Sequence, residues 1–456
     1  MSAARRTSVL AALIAAGVLV GPSSSHRTTA DGAAKSGIPY LEAEPILASL
    51  REELLPDEVR RWSPAQREQR WPGWVALRDS EVRARLARGN EDSIVNLFWF
   101  GTSFTTQQRL TPDRLTVLDR ASKDAVFGAR MKDLVAGILA PGANERLQFA
   151  RAMFEGPGVA LSGPFVRTHL ERLIARALEE LAAYQAAPFE RQSTLFSERG
   201  LSSDTSTFSH FAIEEALQAA AAENLLSGGG VRRVAIIGPG LDFADKDSGY
   251  DFYPPQTIQP FAVVDSLMHL GLAAAVPQVT TFDLNPRINQ HLNGARKRAG
   301  AGHGYILQLP RAGTLRWNPR LVAYWKRFGG GIGREVPALR PPPGAGPVET
   351  QAVEVRPAVV MAIAPEDLNI VFQRLELPAD ERFDLIVATN ILVYYGVFEQ
   401  SLALANIARM LRPGGVFLSS DFVYPLPSIP MTIVGDTKVS YLGDSAGDII
   451  IRYQRR

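Results

Sequence analysis

The chain has 456 residues, of which 46% are apolar, and carries a formal net charge of +2. That length predicts two or three domains with a sizeable buried core, and the balanced charge gives no field that would favour nucleic acid. There is no cysteine, which excludes disulfides, thiolate metal sites and cysteine nucleophiles. No metal site is predicted.

The start of the chain reads as a targeting segment. Arg5 and Arg6 precede an apolar run from Thr7 to Gly21, and Pro22, three serines and a small-residue stretch ending at Ala30 follow. This is the layout of a secretory signal peptide, and the run falls short of the roughly 20 residues that span a bilayer. Residues 1–30 are therefore expected to be a signal peptide or an uncleaved anchor. The protein is expected to be exported or anchored by this segment, and cytoplasmic only if the segment is not a working signal. Membrane contact is expected nowhere else. Residues 31–37 read as a linker.

Residues 38–225 are expected to be mostly helical. Leu41–Leu55 and Phe165–Ala183 have helical apolar spacing, the second with Leu170, Leu173, Ile174, Ala177, Leu178 and Leu181 on one face. Pro56, Pro64, Pro72, Pro112 and Pro141 predict breaks between short helices. Residues 90–106 read as a buried helix and its loop, or as a lid or partner surface. Phe211–Leu226 is an alanine-rich helix stopped by Gly228, Gly229 and Gly230.

Residues 226–456 change character. Apolar runs at Val231–Gly238, Gln278–Leu284, Ala358–Ala364, Phe383–Asn390 and Gly415–Asp421 lack polar alternation, which predicts parallel strands covered on both faces. Lys438–Leu442 and Asp448–Tyr453 flank a glycine-bounded loop and predict an antiparallel hairpin. Insertions are expected at 244–262 and 296–357. Gly329–Gly333 follows no apolar strand and is not expected to bind phosphate. Arg296–Arg298 reads as a solvated helix face.

The chemistry-bearing residues come in order. Gly238-Pro239-Gly240 follows the first strand, where glycines let a backbone turn tightly and approach a ligand. Asp283 ends the second strand, where a carboxylate can accept ribose hydroxyls or cap the next helix. Asp367 follows the third strand, as an acid for an adenine amino group or as a plain helix start. Phe383-Asp384-Leu385-Ile386-Val387 leads through Asn390 to Leu411-Arg412-Pro413-Gly414-Gly415-Val416-Phe417-Leu418.

This last pair of motifs resembles class I S-adenosylmethionine-dependent methyltransferases, and residues 383–420 are also similar to chemotaxis-receptor methyltransferases. The resemblance covers 226–456. It implies an α/β fold, a Rossmann-like methyltransferase sheet with a C-terminal antiparallel hairpin, preceded by the helical region. It implies S-adenosylmethionine as cofactor, with Gly238 and Gly240 along its methionine part, Asp283 on the ribose, Asp367 on the adenine and Asn390 at the reactive end. The methyl acceptor, a small molecule or a protein, is not specified. Gly238 and Asp283 stand 45 positions apart, against about 20 in the usual glycine-turn motif, and Phe243 replaces a third glycine. The receptor-methyltransferase glycine motif is absent, so that family's glutamate substrate is not carried over. Tyr250, Asp251 and Tyr253 in the extra length are expected to line a pocket. No catalytic residue is assigned; His210, His269, His291 and Tyr394 are candidate bases. The alternative is a non-catalytic exported binding or structural protein on the same fold. An NAD-dependent oxidoreductase and an aminopropyl transferase are weaker readings.

Overall fold

The computed structural model describes residues 33–110, 119–155, 160–186, 199–204, 206–242, 250–312, 317–342, 345, 348–442 and 447–456. The expected signal segment, Phe243, residues 244–249, part of the proline-glycine loop near 341–347 and most of the hairpin loop lie outside the described residues. Among the described residues no helix is long and apolar enough to cross a membrane.

The N-terminal region comprises strand β1 (Lys35–Gly37) and helices α1 (Tyr40–Ser49), α2 (Asp57–Arg61), α3 (Pro64–Phe100), α4 (Arg120–Leu139), α5 (Glu145–Phe154) and α6 (Gly163–Ala186). The expected breaks do not all occur, because α3 runs through Pro72 as one helix of 37 residues. Ser63 and Gln66 form its capping box. A proline removes one main-chain hydrogen bond, and here Trp71 and Trp74, 1% and 4% exposed, clamp that turn to Phe372 and Phe398. The far end of α3 buries Ile94, Leu97 and Phe98 in a separate core with α4, α5 and α6. The stripe predicted on α6 is buried at Leu170, Leu173 and Ile174, but Leu178 and Leu181 are exposed, because the helix runs past that core.

The rest of the chain runs α7 (Phe208–Ala222), β2 (Arg233–Ile237), α8 (Gln259–His269), β3 (Gln278–Phe282), α9 (Pro286–Gly300), β4 (Tyr305–Ala312), α10 (Pro319–Arg327), β5 (Gly333–Val336), β6 (Glu349–Val355), α11 (Pro357–Met361), β7 (Ile363–Glu366), β8 (Gln373–Leu375), β9 (Phe383–Ala388), α12 (Val397–Met410), β10 (Leu411–Ser419), β11 (Met431–Val439) and β12 (Asp448–Arg455). The main sheet has the order β11-β12-β10-β9-β2-β3-β7. Strands β7, β3, β2, β9 and β10 are parallel, and β12 is antiparallel to both its neighbours. Numbered within this sheet, the strands run 3-2-1-4-5-7-6. The last strand, β12, is thus inserted between β10 and the edge strand β11, which gives the antiparallel hairpin at the end of the chain.

Two expectations about strands are corrected. Ala358–Ala364 is not one strand: Pro357 opens the short helix α11, and the strand starts at Ile363. The first hairpin strand is Met431–Val439 rather than 438–442, and its register closes at Val439 opposite Asp448.

Both faces of the sheet are covered, as uninterrupted apolar strands require. Val234 and Ile236 of β2 face a core built with α7, α8, α9 and the 296–357 insertion. Ala235 and Ile237 face the other core, with α1, the first half of α3 and α12. The insertion is folded: β4, β6 and β5 form their own antiparallel sheet. Gly329 turns from α10 toward β5 with φ +94°, and Val353 packs where its side chain would be.

Arg130 on α4 ties the turn after α3 in place. It is fully buried and donates to the carbonyls of Phe98, Gly101, Gln107 and Gln108 at 2.7–3.1 Å. Asp251 holds the same turn from the other side, accepting from the main chain and hydroxyls of Thr102 and Ser103. Arg130→Leu leaves these carbonyls without their donor. At about 1–3 kcal/mol per buried unsatisfied group, we expect a loss of roughly 3 kcal/mol or more in denaturant unfolding; a loss under about 1 kcal/mol would contradict this role.

Candidate functional site

The order of the sheet reverses between β2 and β9, and the crevice at the carboxyl ends of those strands is where such sheets bind ligands. A cavity of about 370 Å³ lies there, within the range of small-molecule sites.

Its floor is the turn after β2. Gly238 and Gly240 have φ +66° and +67°, a region that side-chain-bearing residues avoid. Gly238 N donates to Phe282 O at 2.8 Å, which ties the turn to the tip of β3. The Ile391 side chain lies directly on Gly238, so a Cβ there would overlap it. Thr257 Oγ1 donates to Gly240 O at 2.9 Å, fixing the other side of the turn.

Asp283 stands at the tip of β3. The cap of α9 is Asn285, whose Oδ1 accepts from Arg287 N at 3.0 Å. The Asp283 carboxylate accepts from Asn285 N at 2.8 Å and faces the cavity. Burial pushes it up to about 7, against the pull of main-chain N–H groups from Asn285 and Gly240.

Asn390, just past β9, is one of two non-glycine residues in the left-handed region among the described residues, with φ +57°. Ser420 Oγ accepts its N–H at 2.8 Å, and its exposed side chain stands at the cavity wall. Asp421 accepts from Leu392 N at 2.9 Å, and burial pushes it up to about 6.

Gly238, Gly240, Asp283 and Asn390 thus meet around one cavity. Asp367 does not join them. Its side chain is 52% exposed and pairs with Arg83 of α3 at 2.7 Å, while Leu368, Asn369 and Ile370 take the cavity wall. Tyr250, Asp251 and Tyr253 do not line the cavity either. They are buried in packing, Asp251 on Thr102 and Ser103, and Tyr253 through its hydroxyl on Asp242 at 3.1 Å.

The candidate bases separate as clearly. His291 shares a 2.7 Å hydrogen bond with Tyr305 and does not line the cavity, nor does His269. His210 is at the wall, but its ring packs on Trp325 and both nitrogens are shielded without a partner. Burial lowers it to about 3, so it stays neutral. Tyr394 lines the cavity beside the buried Tyr395.

Residues 328–419 match a family model described as methyltransferase domain. This stretch of the sheet-bearing unit is thus similar to a methyltransferase domain. The match spans β5 to β10 of that unit and includes the Asn390 wall. No curated protein matches the chain. Solved structures that resemble it include the N-methyltransferase NodS from Bradyrhizobium japonicum WM9, at 15% identity and TM-score 0.25, covering 53% of this chain and 96% of that one. The glycopeptide N-methyltransferase MtfA has 9% identity and TM-score 0.26, covering 54% and 93%. Magnesium protoporphyrin IX methyltransferase from Synechocystis PCC 6803 has 10% identity and TM-score 0.25, covering 61% and 91%. At TM-scores this low, these likenesses add nothing to the reading of the site.

The raised Asp283 carboxyl has a consequence for stability. It ionises near 3.8 in an unfolded chain but near 7 when folded. Between those values the folded state holds the extra proton, so stability falls as pH rises, and above 7 the whole cost of the buried charge is present. Asp283→Asn should therefore raise the melting temperature at pH 8, with the gain disappearing toward pH 4. No gain at pH 8 would contradict the placement of this group.

Proposed function

We propose that this chain transfers a methyl group from S-adenosylmethionine to an oxygen or nitrogen of an acceptor molecule. The reading rests on the convergence of the glycine turn, Asp283 and Asn390 on one cavity at the reversal of the sheet.

The residues present suit that cofactor. Ile391 covers Gly238 on the face where a Cβ would stand, and Gly240 lines the cavity as bare main chain, suited to close approach by an amino-acid tail. The Asp283 carboxylate keeps lone pairs for the two hydroxyls of a ribose. Leu368, Asn369 and Ile370 replace Asp367 as the wall for a flat base, since Arg83 engages the acid.

When bound, S-adenosylmethionine supplies a methyl group on a cationic sulfur, activated for in-line displacement. What the protein must add is alignment and a dry site. Asn390 presents an amide, both donor and acceptor, at the wall where an acceptor would enter. A base is needed only when the attacking atom carries a proton that must leave. His210, neutral and shielded, is not placed to take it.

The test is calorimetric titration of the protein with S-adenosylmethionine and its demethylated product, beside Asp283→Ala. We expect micromolar binding, about −8 kcal/mol, that the variant loses. No heat and no thermal stabilisation at millimolar ligand would overturn the reading.

A further inference from the structure

Residues 199–204 form a strap from the N-terminal region to the cavity. Gly89 of α3 and Gly200 meet main chain to main chain, so that a Cβ on either would overlap the other segment. Leu201 N donates to Arg85 O at 3.2 Å, and Arg85 Nε donates to Arg199 O at 2.9 Å. At the strap's other end, Leu241 N donates to Ser203 O at 2.8 Å. That bond seats Ser203 and Asp204 against the glycine turn.

Asp204 lines the cavity and is 7% exposed. Ser93 Oγ donates to one carboxylate oxygen at 3.0 Å and Asn96 Nδ2 to the other at 2.8 Å. Both donors are neutral. The Arg287 guanidinium lies over the Phe149 ring at 3.9 Å, and Asp204 is the first charge acting on it. A buried carboxylate whose hydrogen bonds come from neutral donors keeps lone pairs and charge to offer a cation that enters the cavity.

Two further wall residues point the same way. Ser203, 6% exposed, has an unpartnered Oγ, and Gln259, 2% exposed, has an unpartnered Oε1 while its Nε2 donates to Thr389. Strand β2 brings no acid to this end of the cavity, since it runs Arg-Val-Ala-Ile-Ile into Gly238. Beside Asp283, which engages the Gly240 N–H, the cavity wall therefore carries a second buried carboxylate, Asp204, and two spare buried acceptors. A primary ammonium group, with three N–H donors and one positive charge, satisfies that set.

We propose that Asp204, carried by the strap, pairs with the ammonium group of the cofactor's methionine part, with Ser203 and Gln259 as neighbouring acceptors. This rests on the proposed cofactor. It makes the N-terminal helical region a part of the cofactor site, because α3 supplies both the seat of the strap and the two side chains that orient Asp204. Asp204 is a binding residue in this account and moves no proton.

The test compares two ligands by calorimetry. S-adenosylhomocysteine carries the amino-acid tail; 5′-methylthioadenosine has the same nucleoside and thioether without it. Asp204→Asn keeps the shape of the side chain and removes its charge. A charge-assisted hydrogen bond at a buried site corresponds to about 10- to 100-fold in affinity. The variant should lose that factor for S-adenosylhomocysteine and stay within about twofold of the wild type for 5′-methylthioadenosine. Ser93→Ala, which leaves the charge but frees one oxygen, should show the same selectivity at smaller size and serves if Asp204→Asn does not fold. Equal losses for both ligands would mean that the strap is merely structural, and an undiminished affinity for S-adenosylhomocysteine would mean that the ammonium lies elsewhere; either overturns the inference. A wild-type protein that binds neither ligand removes the cofactor reading itself, and the inference with it.

Discussion

The central strands of the sheet bury both of their faces, and most of the architecture follows from that constraint. On β2, Val234 and Ile236 go into one core while Ala235 and Ile237 go into the other. A strand of this kind needs a layer of helices on each side. One layer comes from within the unit, through α7, α8 and α9. The other is completed by α1 and α3, which precede the sheet by more than a hundred residues. The helical region and the sheet are therefore not independent bodies, and a crevice is left between them at the carboxyl end of the sheet.

Helix α3 carries this dependence to the site. Its first turns pack Trp71 and Trp74 under the sheet, and its last turns enter a separate helical core. Between them, Arg83 engages Asp367, Gly89 meets the strap, and Ser93 and Asn96 hold Asp204. A single helix thus touches the 368–370 edge of the cavity and the edge beside the glycine turn. This explains why Pro72 is tolerated: the packing on either side of it outweighs one missing hydrogen bond.

Much of the sheet was legible because two-sided burial leaves uninterrupted apolar runs, and those runs marked four of the five parallel strands. The third was misplaced because apolarity alone does not separate a buried helical turn from a strand; Val359 and Val360 are buried from α11, not from β7. The positions of Gly238, Gly240, Asp283 and Asn390 around the cavity depend on local signals at strand ends, which a sequence carries. Asp367 and the Tyr250–Tyr253 stretch depend on partners distant in the chain. Arg83 is 284 residues from Asp367, and Thr102 is 149 from Asp251. Asp204 had no signal of its own, since Gly-Leu-Ser-Ser-Asp reads as an ordinary loop until α3 is seen to hold it.

The cavity wall is a composite of the strap, the glycine turn, the β3 tip, the 368–370 segment and the 389–395 turn. Hydrogen exchange of the intact protein, with and without S-adenosylhomocysteine, tests that composition directly. Ligand should slow exchange in all five segments together, the strap at 199–204 included, while the helical core of α4, α5 and α6 stays unchanged. Protection confined to other segments, or none at saturating ligand, would contradict it.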